Sequence, residues 1–291
     1  MVTAHGHAKI NLTLDILGKR PDGFHEVAMV MQSLALHDTV VMEKSKQGIS
    51  LEIDAEGVYG GDVLTADSTN LAWRAASLLR DEFGLGGVSM HLTKRIPIAA
   101  GLAGGSADAA AVLMGMNELY GLELNTEALC DFGARLGSDI PFCIQGGTMF
   151  ASGRGEHLTR LPAMPEIPVV LSKPHVAVST AWAYRTYDEK GSQVHPKNDE
   201  IQKEIVQGNW KAVSKLLCNV LESVTIERYG EISKYKQLMR EHGALAAMMS
   251  GSGPTVFALV EKEEEAVALA KIMEKETDAE VIVTSTGESS M

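Results

Sequence analysis

The sequence predicts an α+β chain of two domains. Apolar runs of period two, which mark half-buried strands, are interspersed with runs at helical spacing. The length, 291 residues, corresponds to two domains or one large one at about 150 residues each. Pro162, Pro165 and Pro168 then fall within seven residues between two well-patterned regions, which sets the expected domains at 1–161 and 162–291.

The elements follow in order. Ile10, Leu12, Leu14 and Ile16 alternate with polar neighbours, so the chain opens on a strand. Pro21-Asp22-Gly23 turns it into a second strand over 27–36, followed by short strands over 39–43 and 49–53. After the polar cluster 67–70, Leu71, Ala75, Leu78 and Leu79 recur at helical spacing. Val88, Met90 and Leu92 make a strand that feeds a small-residue loop near 97, and helices run from near Ser106 to Tyr120 and over 127–136. Strands over 148–151 and 157–161 flank Ser152-Gly153-Arg154-Gly155. Beyond the prolines come a strand (169–171), several helices between Trp182 and His242, strands over 245–249 and 256–260, a helix (263–275) and a strand (280–283). That order is a ferredoxin-like split unit with a decorated first crossover.

Lysine and arginine total 26 against 38 acidic residues, a formal charge of −12. A surface of that sign argues against nucleic acid or anionic membrane as a partner, and leaves room for small phosphorylated ligands held in a local cradle. With 45% apolar and 22% charged residues the chain has the material for a core. Cys130, Cys143 and Cys218 form neither a disulfide framework nor a zinc motif, and fit a reducing cytoplasm. The N-terminus lacks the basic-then-apolar layout of a signal peptide. The uncharged stretch 243–260 is broken by Ser250-Gly251-Ser252-Gly253-Pro254 and reads as two strands, not a membrane span.

Chemistry concentrates in Pro97-Ile98-Ala99-Ala100-Gly101-Leu102-Ala103-Gly104-Gly105-Ser106-Ala107. A strand enters these small residues and a helix leaves them, so backbone N–H groups at the helix start can meet an anion closely, helped by the helix dipole. The spacing fits neither a Walker A loop nor a Rossmann fingerprint. The alternative is a helix start kept small for close packing on a sheet. Strand parity puts His7, Lys9, Asn11 and Thr13 in one row opposite Ile10, Leu12 and Leu14, a wall for a phosphorylated ligand or else an ordinary solvated face. Asp139, past a helix end and before Ile140-Pro141, is a candidate general base or else a turn or capping aspartate. Ser250–Pro254 is a second small-residue loop, or a tight hairpin.

Together these pieces resemble the GHMP small-molecule kinases. The resemblance runs from Ala8 to the last strand: Ala8-Lys9-Ile10-Asn11-Leu12, Gly18-Lys19-Arg20-Pro21-Asp22-Gly23-Phe24-His25-Glu26, the glycine loop, Leu136-Gly137-Ser138-Asp139-Ile140-Pro141-Phe142 and Ser250-Gly251-Ser252-Gly253-Pro254-Thr255. The glycine loop is similar to that of the whole family, and the Pro-Asp-Gly-Phe-His block to a branch whose acceptor is a cytidine diphosphate-linked polyol of isoprenoid precursor synthesis. The family usually has glycine at the places of Ala99 and Ala103, serine at Ala107 and tyrosine at Phe24. Alanine keeps the cradle where φ is negative, and a positive φ would bear on donor affinity.

The resemblance implies an N-terminal ribosomal S5 domain 2-like domain, a C-terminal ferredoxin-like domain, and phosphoryl transfer from ATP to a hydroxyl of that polyol. It assigns Lys9 and Asp139 to catalysis. Pro97, Ala99, Ala100, Gly101, Leu102, Ala103, Gly104, Gly105, Ser106 and Ala107 would bind ATP. Phe24 and Tyr184 would sandwich the cytosine, His25 would bond its edge, and Asn11 and Thr180 would hold the rest. Mg2+ would arrive on the ATP, with no protein ligands assigned. The expected enzyme is cytoplasmic, a monomer or homodimer, with Asn70 and the 57–66 loop as candidate contributors to the adenine pocket. The rivals are another family kinase, such as homoserine kinase, and a non-catalytic ligand sensor, which would lack the lysine or the acid.

Overall fold

Two long strands, β1 (Val2–Lys19) and β2 (His25–Ser45), open the chain, and Asp22 Oδ1 accepts the Phe24 N–H at 3.1 Å in the turn between them. The computed structural model describes residues 1–287. In it β2 is one strand of 21 residues, so the runs expected at 27–36 and 39–43 form a single element. The polar pair between them, His37-Asp38, does not break the strand because Asp38 is buried and accepts the N–H groups of Arg95 and Ile96.

By contact the chain separates into two units, one of residues 1–8, 36–98 and 103–146, the other of 9–35, 99–102 and 147 onward. In the first, β3 (Ile49–Asp54) runs parallel to β4 (Gly87–Thr93), which pairs antiparallel with the second half of β2, from Thr39↔Thr93 to Ser45↔Gly87. Helix α1 (Leu71–Phe83) starts where Asn70 Oδ1 accepts the Ala72 N–H at 2.9 Å, and Asn70 Nδ2 donates to Thr65 O. The Asn70 side chain thus bonds at both ends, to the first turn of α1 and to Thr65. Helix α2 (Gly104–Tyr120) buries residues 107–113, Gly115 and Met116, which makes it the core helix of this unit. A Cβ on Gly6 would fall on the Ala107 carbonyl, so only glycine lets β1 pass this close to the start of α2. Helix α3 (Thr126–Ala134) and the short α4 (Ile140–Gln145) complete the unit.

In the second unit the first half of β2 pairs with β5 (Thr148–Ser152), β5 pairs with β6 (His157–Arg160), and β1 pairs in parallel with a two-residue β8 (Cys218–Asn219) at Thr13 and Leu14. Four helices lie around β8 in sequence: α5 (Thr180–Lys190), α6 (Asn198–Val206), α7 (Trp210–Lys215) and α8 (Glu222–Arg228). The ferredoxin-like portion is as expected. It comprises β7 (Pro168–Lys173), α9 (Gly230–Glu241), β9 (Ala246–Met249), β10 (Val256–Leu259), α10 (Glu263–Glu276) and β11 (Glu280–Ser285). Its antiparallel sheet has the order β11-β7-β10-β9. Among the described residues, no helix is long and apolar enough to cross a membrane.

Candidate active site

The two faces of β1 are both buried over residues 9–15. Ile10, Leu12 and Leu14 enter the core as the alternation predicts, yet Lys9, Asn11, Thr13 and Asp15 are buried as well, so the solvated-face alternative fails. Buried polar groups need partners, and this row has them. Lys9, only 4% exposed, donates from Nζ to Asn11 Oδ1 at 2.7 Å and to Gly101 O at 3.2 Å. Asn11 Nδ2 reaches Met29 Sδ at 3.2 Å, Thr13 Oγ1 donates to Asn198 Oδ1 at 2.7 Å, and Asp15 Oδ1 meets His195 Nδ1 at 2.7 Å.

Three sequence motifs converge on Gly101. Its carbonyl takes the Lys9 ammonium and, at 3.0 Å, the Ser250 hydroxyl, while the Lys9 N–H donates to Leu102 O at 3.1 Å. Gly101 has φ +74°, and a Cβ there would fall on the Ser250 carbonyl, so glycine is required both by conformation and by space. The Ser250 loop is held in turn by Asn219, whose Nδ2 donates to Met249 O at 2.9 Å and Gly251 O at 2.8 Å.

Past Gly101 the chain enters α2. Ala103 precedes the helix with φ +60° and no side chain caps its first turn, so the N–H groups at Gly104–Ser106 meet the requirement for an anion cradle. Ala99 also has positive φ, +52°. Both alanines occupy conformations that favour glycine. Pro97, Ala100, Leu102 and Ala107 are buried, so they offer backbone alone, whereas Gly105 is exposed.

Asp139 immediately precedes α4, an element with no periodic signal because it is six residues long with Pro141 in its first turn. The Asp139 carbonyl accepts the Cys143 N–H at 3.1 Å, but its carboxylate makes no capping bond to the helix. The capping alternative is therefore excluded.

The residues that the resemblance assigns to the acceptor fall in one unit. His25 Nε2 meets Asp188 Oδ1 at 2.6 Å, and its ring lies 4.9 Å from that of Tyr184 at 45°. Hydrogen bonds from Lys19 and His25 hold the Asp188 carboxyl below the usual carboxylate range. Phe24 is 52% exposed with the Arg154 guanidinium 5.0 Å from its ring centroid. Thr180 Oγ1 and Ser252 Oγ are 3.0 Å apart, which joins α5 to the Ser250 loop.

The model of the GHMP kinases N terminal domain matches residues 70–147, and that of the GHMP kinases C terminal domain matches 201–279. The chain is 46% identical to a 4-diphosphocytidyl-2-C-methyl-D-erythritol kinase of Acetivibrio thermocellus, over 98% of this chain and 99% of the relative. The chain belongs to the GHMP kinases. A relative of the same name from Caldicellulosiruptor saccharolyticus is 42% identical over 97% of this chain and 96% of its own. A crystal structure titled 4-(cytidine 5'-diphospho)-2C-methyl-D-erythritol kinase superposes with TM-score 0.78 at 32% identity, covering 98% of this chain and 100% of the other. A homoserine kinase from Cytophaga hutchinsonii reaches TM-score 0.74 at 19% identity, over 98% and 95%, a likeness of fold alone.

In this GHMP kinase several residues that contact the candidate site carry no signal in the sequence. Asp188 and Arg154 meet His25 and Phe24 only through the fold, and Asn219 lies in β8, a two-residue strand. Among the described residues, no group of three or more His, Cys, Asp and Glu side chains could hold a metal ion.

Proposed function

We propose that the chain transfers the γ-phosphoryl group of ATP to a hydroxyl of 4-diphosphocytidyl-2-C-methyl-D-erythritol, giving the 2-phosphate, in non-mevalonate isoprenoid precursor synthesis. The observation that carries this reading is the buried Lys9 ammonium fixed on the Gly101 carbonyl, within the glycine loop. Phosphoryl transfer depends on positioning and charge stabilisation more than on covalent chemistry. The backbone N–H groups of 103–107 cradle the donor phosphates, with the Ser106 hydroxyl at the same end. Lys9 offsets charge on the transferring group. The acceptor oxygen bonds to the γ-phosphorus as the bridge to the β-phosphate breaks, ADP leaves, and Asp139 takes the hydroxyl proton. Mg2+ would come with the ATP and would screen its phosphates when bound; among the described residues no group of three or more His, Cys, Asp and Glu is gathered to hold it, and no step passes through it.

Phe24 and Tyr184 stack on the cytosine, His25 bonds its edge, and Asn11 and Thr180 hold the remainder of the acceptor. The His25–Asp188 pair supports this, because the second ring nitrogen of a histidine fixed in this way is set for one directed bond. The sensor alternative is disfavoured by the presence of Lys9 and Asp139. The test is ATP-dependent phosphorylation assayed with the cytidine-bearing polyol, with homoserine and with no acceptor. Phosphate should go to the first alone; phosphorylation of homoserine at a similar rate would overturn the acceptor assignment, and no transfer to any acceptor would favour the sensor.

A further inference from the structure

Below the glycine loop lies a charged cluster that the proposed transfer does not use. Lys94, just before the loop, is buried, and its ammonium bonds both Asp38 of β2 and Asp108 of α2, the latter at 2.7 Å. Asp38 turns its other oxygen to the N–H groups of Arg95 and Ile96, at 2.5 and 2.9 Å. Asp38 thus has three donors. Asp108 has one, because its Oδ1 is buried with no hydrogen-bond partner.

A buried anion with an unmet oxygen is costly. Burial pushes the Asp108 carboxyl above the usual carboxylate range, against the pull of Lys94 and with help from the Asp38 charge. Asp108 sits in the first turns of α2, and Lys94 Nζ lies 3.5 Å from where a Cβ on Gly104 would sit.

We infer that Lys94, acting through Asp38 and Asp108, is a positioning residue for the phosphoryl donor. It ties the start of α2 to β2 and to the entry of the loop, so that the N–H groups at 104–106 are fixed in place. This rests on the reading of 103–107 as the donor cradle.

Lys94→Met would strand the Asp38 charge and endanger folding, so the test uses the other end of the cluster. Asp108→Ala removes one arm and leaves a matched Lys94–Asp38 pair, whereas Asp108→Asn keeps an acceptor for Lys94. Gly105→Val is the control, because Gly105 is exposed in the first turn of α2 and a Cβ there meets only Leu71 Cδ1 at 3.5 Å, so the change adds bulk to the proposed cradle without a clash. ADP affinity by calorimetry, both KM values and a thermal melt are measured for each.

Asp108→Ala should weaken ADP binding and raise the ATP KM by about ten- to a hundredfold, the cost of one charge-assisted hydrogen bond, with the acceptor KM unchanged. Asp108→Asn should recover most of that loss. Unchanged ADP affinity in Asp108→Ala, an equal rise in both KM values, or an asparagine no better than alanine would each overturn the inference. If Gly105→Val weakens ADP binding while Asp108→Ala does not, the role of Lys94 fails alone. If neither does, the donor cradle itself is misplaced.

Discussion

Lys9 donates from Nζ to the carbonyl oxygen of Gly101 at 3.2 Å, across 92 residues of sequence. The bond joins the polar row of β1 to the glycine loop, and Ser250 closes on the same oxygen at 3.0 Å. One cation is thereby fixed on a carbonyl of the glycine loop, and the Asn11 and Gly101 bonds set its orientation.

Lys9→Met keeps the aliphatic stem and removes that cation. Losing one pre-organised donor to developing charge should lower kcat by about 10²–10³-fold. Steady-state rates at saturating substrates, beside a melt to confirm folding, measure this. A folded variant within about tenfold of the parent would place the charge stabilisation elsewhere.

Ala103 is held at φ +60°, where a Cβ is disfavoured. Ala103→Gly should relieve this and stabilise the chain by about 1 kcal/mol. On the scale for domains of comparable size that is a rise of about 2–4 °C in Tm. A lower Tm would mean that the left-handed alanine is not strained.

Phe24→Ala tests acceptor stacking. Base stacking on an aromatic ring is worth about 1–3 kcal/mol, so the acceptor KM should rise by about ten- to a hundredfold while the ATP KM holds. Phe24 is half exposed, so Tm should change little. A large fall in Tm with both KM values raised would assign the ring to packing.

Asp108 gives stability a pH dependence of known sign. Its folded pKa, pushed up to about 8 from 3.8, means that the native state binds the extra proton. The contribution is complete below the unfolded value and is lost as pH rises through the folded one. The Tm of the parent minus that of Asp108→Asn should therefore fall between about pH 4 and about pH 8. A constant difference would show that Asp108 stays ionised throughout.

The strands, the ferredoxin-like order and the glycine loop were legible because periodicity and small-residue runs are local. Parity placed Lys9, Asn11 and Thr13 in one row, but it could not separate a buried row from a solvated one. Their partners Gly101, Met29 and Asn198 lie 92, 18 and 185 residues away. Helix α4 was hidden by its six residues and its proline, and β8 by its two. Asp38 and Asp108 are ordinary acids in sequence, 56 and 14 residues from the lysine that joins them.

The kcat of Asp139→Asn tests the mechanism most directly. The amide keeps the size and polarity of the carboxylate ahead of α4 but cannot accept the acceptor's proton, and no capping bond is lost with it. With both substrates saturating, kcat should fall by about 10²–10⁴-fold with an unchanged melt. A folded variant that retains more than about a tenth of the parent kcat would show that another group takes the proton.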